Sequence, residues 1–430
     1  MPNSALLPQS KHNIDRVERS VLSLHPLSGV GNDMNTPFSA MPTMTRMSDD
    51  AATMDLAQAT AIRSVSARII EAPTRRKHKL SNTSLSHQGY IFVEVVLENG
   101  VVGFGEGSTL GGPRWAEESV EAMKVNIDTY LAPALIGHPA CFLEAAATKM
   151  AQAAKRNYTA KSALDMAMLD AVGKTLNVPA HVLLGGAQRA SFSAIWALAS
   201  GDAGQEVEEA KGMIEKGWFN RFKIKLGFAD PLTDLARLTA LKVALPEGTD
   251  MIADVNQGWS EADFIRYVPH LVDLGVSLIE QPLPAAQMPA MARIATRSPI
   301  PIMLDEGVST LGEAMDGCGS GAGSVLSLKL CKHGGVHQLK QVAGIAQAAG
   351  VQLYGGCLLE SSLGASGHLH AFATLPNLDW GTEHFGPKIL VEDLCSDGLR
   401  YENFEVHLPT GPGLGVTPDP DCINRYARKD

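Results

Sequence analysis

The sequence predicts an α/β protein whose centre is a modified (β/α)8 barrel of the TIM type, preceded by an N-terminal α+β capping domain. Three observations predict it. Short apolar strands recur about every 25–30 residues in the second half of the chain, the period of a βα unit in such a barrel. The gaps between them carry helical apolar spacing, as in QLKQVAGIAQAAG (residues 338–350). Ahead of this region, strand-like stretches are followed by helix-like ones, the order of an α+β unit.

Composition bounds the function. The chain has 430 residues, more than one small core needs, which suggests more than one domain. A formal net charge of −10 argues against a nucleic-acid partner. A local cationic pocket for a small anionic substrate stays open. The cysteines at 141, 318, 331, 357, 395 and 422 form no C-x-x-C pair, which favours reduced thiols in a cytoplasmic protein. No run of about 18 apolar residues is present, so no membrane span is expected.

Taken in order, residues 1–60 read as a flexible extension: rich in Pro, Ser, Asn and Met, without sustained periodicity or a secretory signal. Met41, Met44, Met47 and Met54 are alternative starts. The capping domain follows over residues 61–187. Its strands are SVSARIIEAP and YIFVEVVLENGVVGFGEG, the second folded at Asn99-Gly100, the signal of a type I′ hairpin. Two helices follow, over residues 114–135 and 160–176. GFGEGS (residues 103–108) opens no strand–helix turn, which sets nucleotide binding aside; its glycines are expected to let a capping loop bend. The barrel occupies residues 188–398, with strands at SFSAIWAL, RFKIKLG, DMIADVN, SLIEQPL, PIMLDE, LSLKLCK, VQLYGG and LDWGTE. Residues 399–430 carry a last strand that returns to the capping domain.

The C-terminal ends of barrel strands are where chemistry is expected. Strand 2 alternates apolar residues with Lys223 and Lys225, two cations on one face with no acid between them. Strands 3, 4 and 5 each deliver one carboxylate to the same end: Asp254, Glu280 and Asp305. Strand 6 gives Lys329, and Glu360 follows strand 7. Three clustered carboxylates repel unless protonated or bound to a cation. An all-oxygen set suits Mn2+ or Mg2+. Glu306 reads either as a partner of that set or as a solvated residue. A dication and a second lysine nearby lower a lysine's pKa, enough for proton transfer near neutral pH.

These residues, in this order, resemble the enolase superfamily, which pairs Lys or His bases with divalent metal. The K-x-K of strand 2 with a lysine on strand 6 is similar to its muconate-lactonizing subgroup; LYGGCLLESS lacks the His of the mandelate-racemase type. The likeness runs from about residue 62 onward. It is carried by HKL, NIDTYLAPALIG, LASGD, KIKLG, DVNQGW, LIEQPL, LKLCKHGG, YGGCLLE, HAFATL, WGTEHFGP and PGLGV. The resemblance implies Asp254, Glu280 and Asp305 as metal ligands and Lys225 as the proton-transfer residue. Lys223 and Lys329 would be its electrostatic partners, with Glu360 at the lactone or carboxylate end. His78 and Lys79 would sit on a first capping loop, where Lys79 and His78 hold the far carboxylate or His78 makes only a loop hydrogen bond. Leu110 and Trp115 would face substrate from STLGGPRWAEES, although Trp115 equally suits plain packing. Gly307, Cys331 and His333 depart from the usual pattern.

The implied reaction is metal-dependent, reversible lactonisation of cis,cis-muconate to muconolactone in catechol catabolism, with Lys225 protonating the α-carbon of an enediolate-like intermediate. Chlorinated muconates are alternative substrates. A second class, N-acylamino acid racemases and dipeptide epimerases, uses the same opposed lysines and metal set. The resemblance also implies a cytoplasmic homo-oligomer, commonly an octamer.

Overall fold

The computed structural model describes residues 51–429 except Trp115 and Ala116. The expectations for residues 1–50 and for Trp115 lie outside the described residues. Ala51–Ala59, within the segment read as an extension, is helical. Thr60 behind it is buried, its hydroxyl donating to the Leu56 carbonyl at 2.7 Å.

β1 (Ile62–Lys79), β2 (Ser84–Leu97) and β3 (Val102–Thr109) form an antiparallel meander. The β2–β3 hairpin is not the two-residue type I′ turn. Leu97 N–H donates to the Val101 carbonyl at 2.9 Å, so three residues form the loop. Only Gly100 takes a left-handed φ, +85°, whereas type I′ needs two such residues. The Asn99 side chain accepts from Val101 N–H at 3.0 Å and closes this wider loop.

The helix Tyr158–Leu176 lies on the sheet and is buried from Thr159 through Gly173. Gly103 and Gly105 explain the contact. A Cβ at Gly103 would lie 2.1 Å from the Ala167 carbonyl oxygen, and one at Gly105 2.0 Å from that of Ala163. These glycines therefore admit a helix against a strand, not the bending of a loop. A separate apolar core fills this layer, with Ile91, Val93, Leu164 and Met168 among its members.

Beyond it come β4 (Ser191–Ser193) and β5 (Ile195–Leu198), then β6 (Arg221–Lys225), β7 (Asp250–Asp254), β8 (Leu278–Glu280), β9 (Ile302–Leu304), β10 (Val325–Leu328) and β11 (Gln352–Gly355). β5 to β11 make one parallel sheet in sequential order. The expected first barrel strand is thus split. β4 instead pairs antiparallel with β13 (Glu405–His407), which in turn pairs with β12 (Tyr401–Glu402). That small sheet holds the C-terminal segment to the barrel; the helix Pro420–Tyr426 behind it reaches the capping domain, where Arg428 N–H donates to the Ile69 carbonyl at 2.9 Å.

The eighth strand, expected at LDWGTE, shrinks to Thr382, a bridge residue to both Ala194 and Gly355. Ile195 N–H donates to the Thr382 carbonyl and Glu383 N–H to the Gly355 carbonyl, each at 2.9 Å. The two edges of the seven-stranded sheet meet through this segment, which closes the barrel. Inside, Ile195, Ile252, Leu278, Met303, Val325 and Tyr354 form a packed floor.

Candidate active site

Strand register builds the site. Lys225 pairs with Asp254 across β6–β7, and Asp254 with Glu280 across β7–β8. Asp305 follows β9 by one residue and Lys329 follows β10 by one. The barrel thus brings together six of the residues singled out in the sequence, Lys223, Lys225, Asp254, Glu280, Asp305 and Lys329, and all are buried.

Their charges interlock. Lys225 Nζ lies 2.5 Å from Asp254 Oδ2, and Lys329 Nζ 2.5 Å from Asp305 Oδ2. Lys223 Nζ is 3.1 Å from Glu280 Oε2, 3.4 Å from Asp254 Oδ2, and in direct contact with Glu383 Oε2. Burial pulls the Lys223 and Lys329 ammoniums down, but the carboxylates around them outweigh it and hold both pKa values above the usual lysine range. Glu280 and Glu383 act on Lys223, and Asp305 chiefly on Lys329. The protein groups by themselves thus keep Lys223 and Lys329 charged; the lowering expected for a proton-transferring lysine invokes the added charge of a metal dication.

Glu280 shows why these carboxylates suit a cation. Both its oxygens are buried without a hydrogen bond, and Lys223 is its ion-pair partner. Burial first, then Asp254, raises its pKa well above the usual carboxylate range. Asp254 Oδ1 accepts from Asn256 N–H at 3.0 Å, which fixes that carboxylate. Buried carboxylates from three adjacent strand ends, with both Glu280 oxygens free of hydrogen-bond donors, fit a hard divalent ion.

Several contributors were missed in the sequence. Glu383 is the main one: besides Lys223 it accepts from Cys357 N–H at 2.9 Å and from the Tyr354 hydroxyl at 3.3 Å. Its signal was its place in WGTEHFGP, at the end of a strand too short to show a period. Lys332 Nζ donates to Asp305 Oδ1 (2.9 Å), the Asp305 carbonyl (2.8 Å) and the Ser327 carbonyl (2.7 Å). Gln281 Oε1 accepts from the N–H groups of Asp305 (3.0 Å) and Gly307 (3.2 Å), shaping the turn beneath that carboxylate. Glu306 accepts from Asn256 Nδ2 at 3.2 Å; burial, then Asp305 and Asp254, push its carboxyl up to about 7.

Asp305, Glu306, Lys329 and Lys332 open onto a cavity of about 270 Å³. The capping domain closes its other wall with Glu117, Glu118, Tyr158 and Thr159. Glu118 anchors that wall: its carboxylate accepts from Thr159 N–H at 2.8 Å at the start of the helix Tyr158–Leu176, and its carbonyl from the Thr109 hydroxyl at 3.0 Å.

Other sequence candidates stand elsewhere. His78 and Lys79 belong to β1, not to a loop. His78 is buried beside Phe385, with ring centroids 6.2 Å apart. Burial, then Arg76, depresses its pKa, so the imidazole is neutral. Lys79 lines a different cavity, of about 470 Å³, with Arg114 and Phe228. Leu110 is buried in the main core. Glu360 makes no hydrogen bond or ion pair to the lysines among the described residues. It accepts from the Ser108 hydroxyl at 3.0 Å and from Leu358 N–H at 2.8 Å.

A barrel with one carboxylate on each of three successive strand ends, flanked by opposed lysines and capped by an α+β domain, defines the enolase class of enzyme. Residues 64–185 match the mandelate racemase/muconate lactonizing enzyme N-terminal domain, and residues 205–422 the enolase C-terminal domain-like family. The chain belongs to this mandelate racemase/muconate lactonizing enzyme family.

Its curated relatives include a muconate cycloisomerase 1 of Pseudomonas putida, 42% identical over 84% of this chain and 96% of the relative. A chloromuconate cycloisomerase of Cupriavidus necator is 41% identical over 85% and 99%. Among solved structures, a muconate lactonizing enzyme of Pseudomonas fluorescens complexed with muconolactone superposes with a TM-score of 0.84, at 38% identity, over 86% of this chain and 100% of that one. The family implies a divalent metal ion.

Proposed function

We propose that the chain is a muconate-lactonizing isomerase that interconverts cis,cis-muconate and muconolactone, with chlorinated muconates as the alternative substrates. The observation that carries this reading is the pair of opposed lysines, Lys225 on Asp254 and Lys329 on Asp305, across one carboxylate set. The identity to cycloisomerases over nearly the full length of those relatives supports the substrate class.

Asp254, Glu280 and Asp305 would hold Mn2+ or Mg2+, which supplies positive charge against the negative charge that develops on a substrate carboxylate. Lys225 Nζ delivers a proton to the α-carbon in the lactonising direction and removes it in reverse. Lys329 opposite, with Lys332 at the cavity wall, neutralises a dianionic substrate. Lys223 is held in its charged form by Glu383 and Glu280 and adds a fixed field. Glu360 would stand at the lactone or carboxylate end of the substrate, and Glu383, which touches Lys223, adds a carboxylate to the lysine set. Glu117, Glu118 and Tyr158 shield the cavity from water. A soluble, cytoplasmic homo-oligomer in aromatic catabolism completes the reading. Six free thiols support that compartment, and no helix among the described residues is long and apolar enough to cross a membrane.

The test is ultraviolet loss of cis,cis-muconate by metal-stripped protein, restored with Mn2+ or Mg2+. Metal-dependent loss is expected. No loss from folded, metal-binding protein sinks the reading, and racemisation of N-acylamino acids or dipeptides, followed by deuterium exchange, then identifies the same lysines at work on the other class.

A further inference from the structure

Lys225 is the last residue of β6, and the chain just beyond it is fixed by buried charges. Leu226 N–H still donates to the Asp254 carbonyl on β7, at 2.7 Å. Successive residues of a strand turn their backbone groups to opposite sides, so the Lys225 carbonyl faces β5. β5 ends at Leu198, the register partner of Ile224, and offers no strand residue opposite Lys225. Gly227 then turns the chain with a φ of +81°; a Cβ there would lie 2.6 Å from the Val255 carbonyl oxygen.

Arg237, from the helix Pro231–Ala244 that follows this turn, takes the place of the missing strand. Its Nη1 donates to the Lys225 carbonyl at 3.2 Å and to Asp234 Oδ1 at 2.8 Å. Asp234, one turn earlier on the same helix, accepts from Gly227 N–H through Oδ2 at 2.8 Å. One side chain thus holds the carbonyl of Lys225 and the other the amide two residues on. Glu206, in the helix Ala203–Glu215, fixes the far side of the guanidinium: it accepts from Nη2 at 2.7 and 2.9 Å and from Nε at 3.2 Å. Glu206 Oε1 also accepts from Gly201 N–H at 2.9 Å, in the loop after β5. All three side chains are buried. Every nitrogen of the guanidinium is engaged, in a planar fork that a lysine cannot reproduce.

Two carboxylates buried against one guanidinium are a poor source of stability, because desolvation offsets much of the attraction. Their placement gives a better reason for them. Among the described residues, the polar contacts of Arg237 and Asp234 with β6 and its turn fall at Lys225 and Gly227, and neither side chain bonds to Asp254, Glu280 or Asp305. We propose that Arg237 and Asp234 are positioning residues for Lys225. They clamp the backbone at its carbonyl and at the Gly227 amide, and so hold the ammonium at the placement that proton transfer demands. The inference rests on the role given to Lys225 under the proposed function.

The test uses Arg237→Lys and the isosteric Asp234→Asn in the full chain, with folding verified by circular dichroism. Exchange of the α-proton of muconolactone in deuterium oxide is followed by nuclear magnetic resonance at saturating lactone, and divided by the Mn2+ sites counted by electron paramagnetic resonance. The expected result is a rate per site about tenfold to a hundredfold lower in both variants, with unchanged Mn2+ affinity. A merely structural role would alter the number of Mn2+ sites and the melting temperature, not the rate per site. Amide exchange of the peptide spanning Gly227, read by mass spectrometry, needs no turnover and is expected to be faster in both variants. An undiminished rate per site, or unchanged amide exchange, overturns the assignment. Faster amide exchange beside an unmodified protein that is inert toward muconolactone sinks the muconate reading and keeps the clamp. Should Arg237→Lys not fold, Asp234→Asn, which removes only a charge, carries the test.

Discussion

Lys225 on β6 and Asp254 on β7 are register partners on adjacent parallel strands, with Nζ 2.5 Å from Oδ2. Backbone pairing therefore sets the position of the proposed proton-transfer group relative to the carboxylate set, with no loop intervening. The same holds for Asp254 and Glu280. A site fixed by ladder register resists drift, which chemistry dependent on sub-ångström placement requires.

Lys225→Ala is expected to leave the fold intact and lower kcat roughly 10³-fold or more, within the range of a lost acid–base group. Circular dichroism with steady-state kinetics checks it.

Lys332 touches Asp305 at Oδ1 and at its carbonyl, so it acts by orienting that carboxylate. Lys332→Met is expected to weaken metal binding roughly 10–100-fold, the usual effect of removing a partner of a metal ligand. Titration with Mn2+ followed by electron paramagnetic resonance reads this without reference to turnover.

Glu383→Gln removes a buried charge from Lys223 and leaves only Glu280 and Asp254 to balance it. Breaking a buried ion pair costs on the order of 3 kcal/mol. A lower midpoint in urea, together with reduced kcat, is expected. An unchanged midpoint would show that the two remaining carboxylates compensate fully.

Glu106, on β3, supplies a pH dependence remote from the metal set. Its carboxylate faces Ser361, and Ser361 N–H donates to Oε1 at 3.0 Å. Burial first, then Glu360 and Asp393, push its carboxyl up to about 8, against an ordinary 4.5. A raised folded-state value means that the folded protein holds a proton the unfolded chain has released. The contribution to stability is complete below pH 4.5 and declines as pH rises toward about 8. The slope is at most roughly 1.4 kcal/mol per pH unit. Thermal melts across that window are expected to flatten in Glu106→Gln.

Gly105→Ala tests the packing of the capping domain. With the Ala163 carbonyl 2.0 Å from the new methyl carbon, the helix Tyr158–Leu176 must move, at a cost of about 1–3 kcal/mol or more. Calorimetry is the check.

The catalytic rim was legible because a barrel demands apolar strand interiors, so a lysine or carboxylate at a strand end stands out against them. Glu383 also ends a strand read from the sequence, LDWGTE, but was not singled out with the other strand-end acids; in the protein that strand is reduced to Thr382. The resemblance puts His78 and Lys79 on a capping loop, and RRKHK has no apolar period that would mark a strand there. In the protein β1 runs through that stretch, with a register shift between Pro73 and His78. Asn99-Gly100 signalled a two-residue turn, and the Asn99 side chain overrode it by capping Val101. The glycines of β3 look alike whether they serve a hinge or a close helix; only the position of the helix decides.

The central claim is that Lys225 moves a proton at the carbon next to a carboxylate. Turnover of cis,cis-muconate in deuterium oxide, with the product followed by nuclear magnetic resonance, tests it most directly. The account predicts muconolactone carrying one deuterium on a single face of the α-carbon, and no such product from Lys225→Ala. Monodeuterated product formed at an undiminished rate by the variant would contradict it.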